Sequence, residues 1–103
     1  MRTEDNDMMM KESMIQSLEA QLVAWNSEMR RLQDNVDKMP DGATKKSFME
    51  AIRDMTSRRD ELKQKIKEAR EAEESEWEKH RPGIEESWNS LQKSLADTFQ
   101  RID

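Results

Sequence analysis

Apolar side chains recur at alternating intervals of three and four residues along the first part of this sequence. From Ile15 the alternation continues without a slip to Met39, which is the spacing of a helix in a coiled coil. A chain with 40% charged and 33% apolar residues could be disordered, but a disordered chain would not keep this register. The pattern therefore predicts a helix whose apolar seam is Ile15, Leu18, Leu22, Trp25, Met29, Leu32, Val36 and Met39.

A second seam follows a turn signal. Pro40 and Gly42 end the first helix, because proline disfavours helix at the preceding residue and glycine permits a tight turn. Asp7 is a candidate cap at its start. The expected bounds are about 7–39 for helix 1, 40–43 for the turn and about 44–80 for helix 2. The second seam is Phe48, Ile52, Met55, Arg59, Leu62, Ile66 and Ala69.

The two seams are compatible with a chain reversal, because antiparallel partners should have residue numbers with a constant sum. That sum is 84 for the pairs 15 with 69, 18 with 66, 22 with 62, 29 with 55, 32 with 52 and 36 with 48. The same rule places Trp25 opposite Arg59 for cation–π stacking. It also places Lys11 opposite Glu73 as an ion pair. We therefore predict an antiparallel helical hairpin.

A third amphipathic stripe begins where the second seam loses its apolar residues, at Glu73 and Glu76. We expect a third helix over about 82–102, with its boundary at Pro82, since proline inside a helix costs roughly 3 kcal/mol. The cations before Pro82 suit a helix end, and the acids after it suit a helix start. These residues are Lys79, His80 and Arg81, then Glu85 and Glu86. The stripe consists of Trp77, Ile84, Trp88, Leu91, Leu95, Phe99 and Ile102.

The predicted fold class is all-α, one helical domain over residues 1–103, with two packings open for the third helix. It either folds back to make a three-helix bundle, or kinks at Pro82 and forms a dimer with a second copy. Extra small or apolar positions on helix 1 favour folding back: Met14, Ala20, Val23 and Ala24. The unbroken phase of the stripe across Pro82 favours a continuous helix. The candidate partner or oligomer face is Trp77, Ile84, Trp88, Leu91, Leu95 and Phe99.

The composition argues against an enzyme. With no cysteine, the chain cannot form a thiolate zinc site or a thiol nucleophile, and its one histidine, His80, cannot form a His pair. Its two glycines, Gly42 and Gly83, are too far apart for a phosphate-binding loop. The acidic residues around Glu74 are expected to form a solvated helix face. We expect no catalytic, metal-binding or cofactor-binding residues and no cofactor.

Charge patterning also limits the partners. The net charge is −5, and the main basic cluster is interleaved with acids, so we expect a salt-bridged surface and no nucleic-acid binding. The acidic balance after Pro82 makes membrane attachment unfavourable. Without a spanning segment or a signal peptide, a soluble cytoplasmic protein is expected. The basic cluster is Arg58, Arg59, Lys63, Lys65, Lys67 and Arg70.

Four methionines form a cluster near the start of helix 1, namely Met8, Met9, Met10 and Met14. Three interpretations stay open: core packing against the third helix, a soft surface for an apolar partner, and a Cu(I) thioether site.

The stretch from Trp77 to Phe99, WEKHRPGIEESWNSLQKSLADTF, resembles a loose family of small bacterial coiled-coil proteins. That family ends in W-E-x-L-K-x-G-V-E-x-A-W-x-x-L-K-x-A-F, and Arg58–Glu71 is similar to its second helix. Pro82 departs from the pattern. The resemblance implies a helical, non-enzymatic protein of unassigned function. Matching positions are Trp77, Gly83, Ile84, Trp88, Leu91 and Leu95.

Two functional classes follow. The leading expectation is a non-catalytic coiled-coil interaction or scaffold protein, which presents a helix face to itself, as in a homodimer, or to another helical protein. The alternative is a membrane-surface or stress-associated protein that uses its C-terminal amphipathic helix.

Overall fold

Three long helices form an elongated antiparallel bundle. The computed structural model describes the backbone of residues 3–102 and the side chains of residues 10–102. The helices are α1 (Thr3–Asp37), α2 (Ala43–Glu71) and α3 (Trp77–Ile102), and a 3-10 turn at Glu74–Glu76 precedes α3. The bundle measures 60 × 17 × 17 Å. The predicted all-α fold, a hairpin with a third helix, is confirmed.

The hairpin of α1 and α2 buries the apolar residues of both predicted seams in one cluster, with Met39 at its edge. Arg59 is the polar exception on the second seam. Its guanidinium donates to Asn26 Oδ1 at 3.1 Å, one residue from the predicted register. Trp25 is turned away from it and donates its indole N–H to the carbonyl oxygen of Leu91 at 3.3 Å. The predicted Trp25–Arg59 stacking is therefore wrong, since α3 gives the indole a hydrogen-bond acceptor.

The first loop lies close to its predicted place, between Asp37 and Ala43. Gly42 has a φ of +152°, a conformation that residues with a Cβ rarely adopt. At its other end α1 begins at Thr3, so Asp7 is inside the helix and is not its N-cap. The side chain of Asp7 lies outside the described residues.

The second reversal comes earlier than predicted. Helix α2 ends at Glu71, and not near residue 80. The backbone N–H of Ala72 still bonds to helical carbonyls, but Ala72 and Glu73 are both extended, so the chain leaves the helix axis there. We call residues 72–76 the elbow. It contains neither proline nor glycine.

Lys11 stabilises the elbow from α1. Its ammonium group donates to the carbonyl oxygen of Ala72 at 2.8 Å and to that of Arg70 at 3.2 Å. Its nearest carboxylate in an ion pair is that of Glu74, at 3.9 Å, so the predicted pairing with Glu73 is wrong. A cation at the carbonyl end of a helix opposes the negative end of the helix dipole.

Pro82 lies inside α3, so the predicted boundary there is wrong. Its missing N–H would have bonded to the Glu78 carbonyl, and its ring crowds that same carbonyl, close to the start of the helix. The predicted C-terminal cation His80 lies instead in the first turn of α3. Arg81 pairs with Glu78 and Glu85 along the helix surface. Helix α3 is thus continuous across Pro82 and folds back on the hairpin, so of the two predicted packings the structure has the three-helix bundle.

Helix α3 packs most extensively on α2 and least on α1. Hydroxyl groups on α3 accept hydrogen bonds from long cations of α2, and their small side chains let the two helices lie close. Arg58 donates to Ser94 at 3.0 Å and to Ser90, and Lys65 donates to Ser87 at 2.9 Å. Among the described side chains of α1, residues 10–37, none makes such a hydrogen bond with α3, and a gap lies between these two helices.

Candidate binding groove

An apolar groove of about 470 Å³ runs between α1 and α3. Trp25 from α1 and Trp88 from α3 form much of its wall, and both are more than nine-tenths buried. Leu95 and the half-buried Phe99 extend the wall along α3. We call this feature the α1–α3 groove.

Two alanines keep the groove open. Ala24 on α1 and Ala96 on α3 both line it, and their methyl groups occupy little of its volume. The rim is polar and carries few charges: Gln21 and Glu28 on α1, and Gln92 on α3. The arrangement is chemically suited to an apolar ligand surface with hydrogen-bonding groups at its margin.

Arg31 contacts an aromatic ring of the groove. Its guanidinium carbon lies 5.0 Å from the centroid of the Phe99 ring, and its Nη2 atom is 2.8 Å from a carboxylate oxygen of Glu28. The cation therefore covers one side of the Phe99 ring. A partner that reached Phe99 would have to displace or bind beside this guanidinium.

The predicted partner face is largely enclosed by the chain's own hairpin. Trp77, Ile84 and Leu91 are at most 2% exposed. Trp88 and Leu95 are also buried, but they line the α1–α3 groove, as does Phe99. Only this edge of the stripe remains accessible. Sequence reasoning missed Gln92 and Ala96 as groove residues, because periodicity does not indicate how far α3 lies from α1.

The small and apolar residues of α1 that favoured a returning α3 are mostly uncovered. Met14 packs against the core, but Ala20, Val23 and Ala24 are exposed. Met10 is 50% exposed. In the methionine cluster, the side chains of Met8 and Met9 lie outside the described residues. Helix α3 therefore folds back against Trp25 but leaves Ala20, Val23 and Ala24 exposed.

The basic cluster is engaged in contacts within the chain. Arg58 pairs with Asp54, and Arg70 lies 2.5 Å from a carboxylate oxygen of Glu19 on α1. The hydrogen bond with Glu19 is the main cause that raises the pKa of Arg70 above its usual value. This guanidinium is therefore cationic at any physiological pH, and it joins α1 to α2.

The described residues contain no group of three or more His, Asp or Glu side chains placed to hold a metal ion. Within residues 3–102, no helix combines the length and the apolar character that crossing a bilayer requires. Comparisons with protein-family models, curated proteins and solved structures find no match to this chain. The resemblance to small bacterial coiled-coil proteins stays a prediction.

Proposed function

We propose that this chain is a non-catalytic interaction or scaffold protein that binds a helix of a partner in the α1–α3 groove. The observation that carries the proposal is the groove itself, an apolar channel walled by Trp25, Trp88 and Phe99 on a highly charged bundle. Helix-in-groove recognition needs an apolar trough that receives one face of an amphipathic helix. Aromatic side chains are also the residues that most often dominate interface energetics.

The shape of the bundle supports binding over catalysis. The groove is open along its length, and its ionisable rim residue, Glu28, already pairs with Arg31. Acid–base chemistry needs a dry pocket with paired titratable groups of different pKa. His80, the one imidazole, is on the first turn of α3 and does not line the groove.

The membrane-surface alternative is less well supported. An amphipathic helix binds lipid through its apolar face. On α3 that face is buried against the hairpin, with Ile84 and Leu91 only 1% exposed. Attachment would require α3 to leave the bundle and expose this surface to the membrane. Co-flotation with neutral and with anionic vesicles tests the alternative, and we expect no binding to either.

Site-specific photocrosslinking in the native cell tests the proposal. A benzophenone side chain at Gln92, on the groove rim, should form one discrete adduct whose crosslinked peptide lies in a helix of the partner. The matched control is Gln64 on α2, which is also exposed but lies outside the groove. If Gln92 gave no adduct, or gave the same adducts as Gln64, the proposal would be wrong.

A further inference from the structure

The middle of α1 presents an exposed face without charge. Within residues 13–27 only Glu19 is ionisable, although 40% of the whole chain is charged. The Glu19 carboxylate is turned toward α2, where it pairs with Arg70. The outward positions, which we call the α1 face, are Gln16, Ser17, Ala20, Val23, Ala24 and Ser27, and all six are exposed.

The α1 face and the α1–α3 groove form one continuous surface, because Ala24 belongs to both. Val23 is 65% exposed and gives the face its largest apolar side chain. The core of a protein interface differs from the rest of the surface in having few charged residues and more aromatic ones.

We infer that this surface binds a second copy of the chain, with the two α1 helices antiparallel. The inference rests on the proposed function and names its partner. Each copy carries a net charge of −5, so two copies repel each other across most orientations. On the α1 face no like charges meet, and its small side chains allow the helix axes to approach to about 8–10 Å.

Charge complementarity sets the direction of the pair. Glu12 and Arg30 are both exposed. They are about five helical turns apart, so they lie on the same edge of α1, Glu12 before the α1 face along the chain and Arg30 after it. A two-fold axis near Gln21 brings Glu12 of each copy beside Arg30 of the other. A parallel pair would instead bring opposite edges of the two α1 helices together and leave Glu12 about five turns from Arg30 of the other copy.

Sedimentation equilibrium of the purified full chain, from low micromolar to millimolar concentration, tests the inference. We expect the mass to rise from 12.3 kDa toward twice that value. Ala24→Glu places a charge on the face and should weaken the dimer at least ten-fold. Ala43→Glu adds the same charge at an exposed alanine outside the α1 face and should leave the affinity of the dimer unchanged. Circular dichroism melts check that both variants are folded.

A charge exchange tests the antiparallel arrangement. Glu12→Arg alone and Arg30→Glu alone should each weaken the dimer, because each places like charges together. The double variant should restore association to within about two-fold of the native chain, and added salt should reduce all of these differences. If the double variant associated as weakly as the single ones, the antiparallel register would be wrong.

The outcomes separate this inference from the proposed function. A chain that stays at 12.3 kDa throughout, or a dimer that Ala24→Glu does not weaken, overturns the second copy as partner. If the Gln92 crosslink then contained a different helical protein, the groove would have that partner and the proposed function would stand. If Gln92 gave no adduct, both would fall.

Discussion

The Nζ atom of Lys11 on α1 lies 2.8 Å from the carbonyl oxygen of Ala72, the residue that follows the end of α2. The ammonium group is buried, and it also bonds to the carbonyl of Arg70. A side chain from the beginning of the sequence thus caps a helix that ends near residue 71. It fixes the point at which the chain turns toward α3.

Lys11→Met should lower the free energy of unfolding by about 1–3 kcal/mol, because two partly buried carbonyls lose a charged donor. Lys93→Met, at an exposed position of α3, should change it by less than about 0.5 kcal/mol. Urea denaturation followed by circular dichroism measures both. Equal values for the two variants would mean that Lys11 does not stabilise the elbow.

The two glycines should respond to alanine in opposite directions. Gly42→Ala should destabilise the protein by about 1 kcal/mol or more, because Gly42 has a φ of +152° that an L side chain strains to adopt. Gly83→Ala should stabilise it by about 0.5–1 kcal/mol, because Gly83 is helical and a Cβ there meets no atom within 4 Å. Thermal denaturation of the pair gives the comparison. A lower melting temperature for Gly83→Ala would contradict the helical geometry around Pro82.

Replacement of the prolines separates a helical site from a loop site. Pro82→Ala restores the N–H that can bond to the Glu78 carbonyl and should stabilise the fold by about 1 kcal/mol or more. Pro40→Ala, in the loop after α1, should lower the free energy of unfolding by about 0.4–1 kcal/mol, since it increases the conformational entropy of the unfolded chain. Chemical denaturation measures each. A loss of stability for Pro82→Ala would indicate that α3 begins after Pro82.

Leu91→Ala tests whether α3 is part of the core. Leu91 is 1% exposed, so its truncation should cost about 2–5 kcal/mol through lost burial and a cavity. Val23→Ala, at a position 65% exposed, should cost less than about 0.5 kcal/mol. Differential scanning calorimetry of the two variants at low protein concentration provides the measurement. A helix that does not pack on the hairpin would give similar small values for both.

The hairpin could be predicted from sequence because it depends on local periodicity and on Pro40 and Gly42, which act within a few residues. The elbow could not, because the end of α2 is fixed by Lys11, a contact between distant parts of the chain. The loss of apolar residues from the seam at Glu73 indicated that the hairpin ends there. Pro82 was nevertheless the stronger sequence signal for a helix boundary. Its tolerance within α3 follows from the burial of Trp77 and Ile84 on either side.

The groove was beyond sequence reasoning for a different reason. Its existence depends on the distance between α1 and α3, which is set by how closely α3 approaches α2 through Ser87, Ser90 and Ser94. Periodicity identifies the face of a helix that is apolar, but it does not say which of two neighbouring helices lies nearer. The exposed Ala24 and Ala96 acquire meaning only once that spacing is known.

The order of the helices along the chain has a consequence for synthesis. Helix α3, which supplies Trp88 and Leu91 to the core, is translated after both arms of the hairpin. The hairpin thus emerges from the ribosome with its apolar side uncovered, and it is completed only when α3 has followed. During that interval Trp25 lacks its acceptor on Leu91, and the nascent hairpin is most exposed to chaperones and to aggregation.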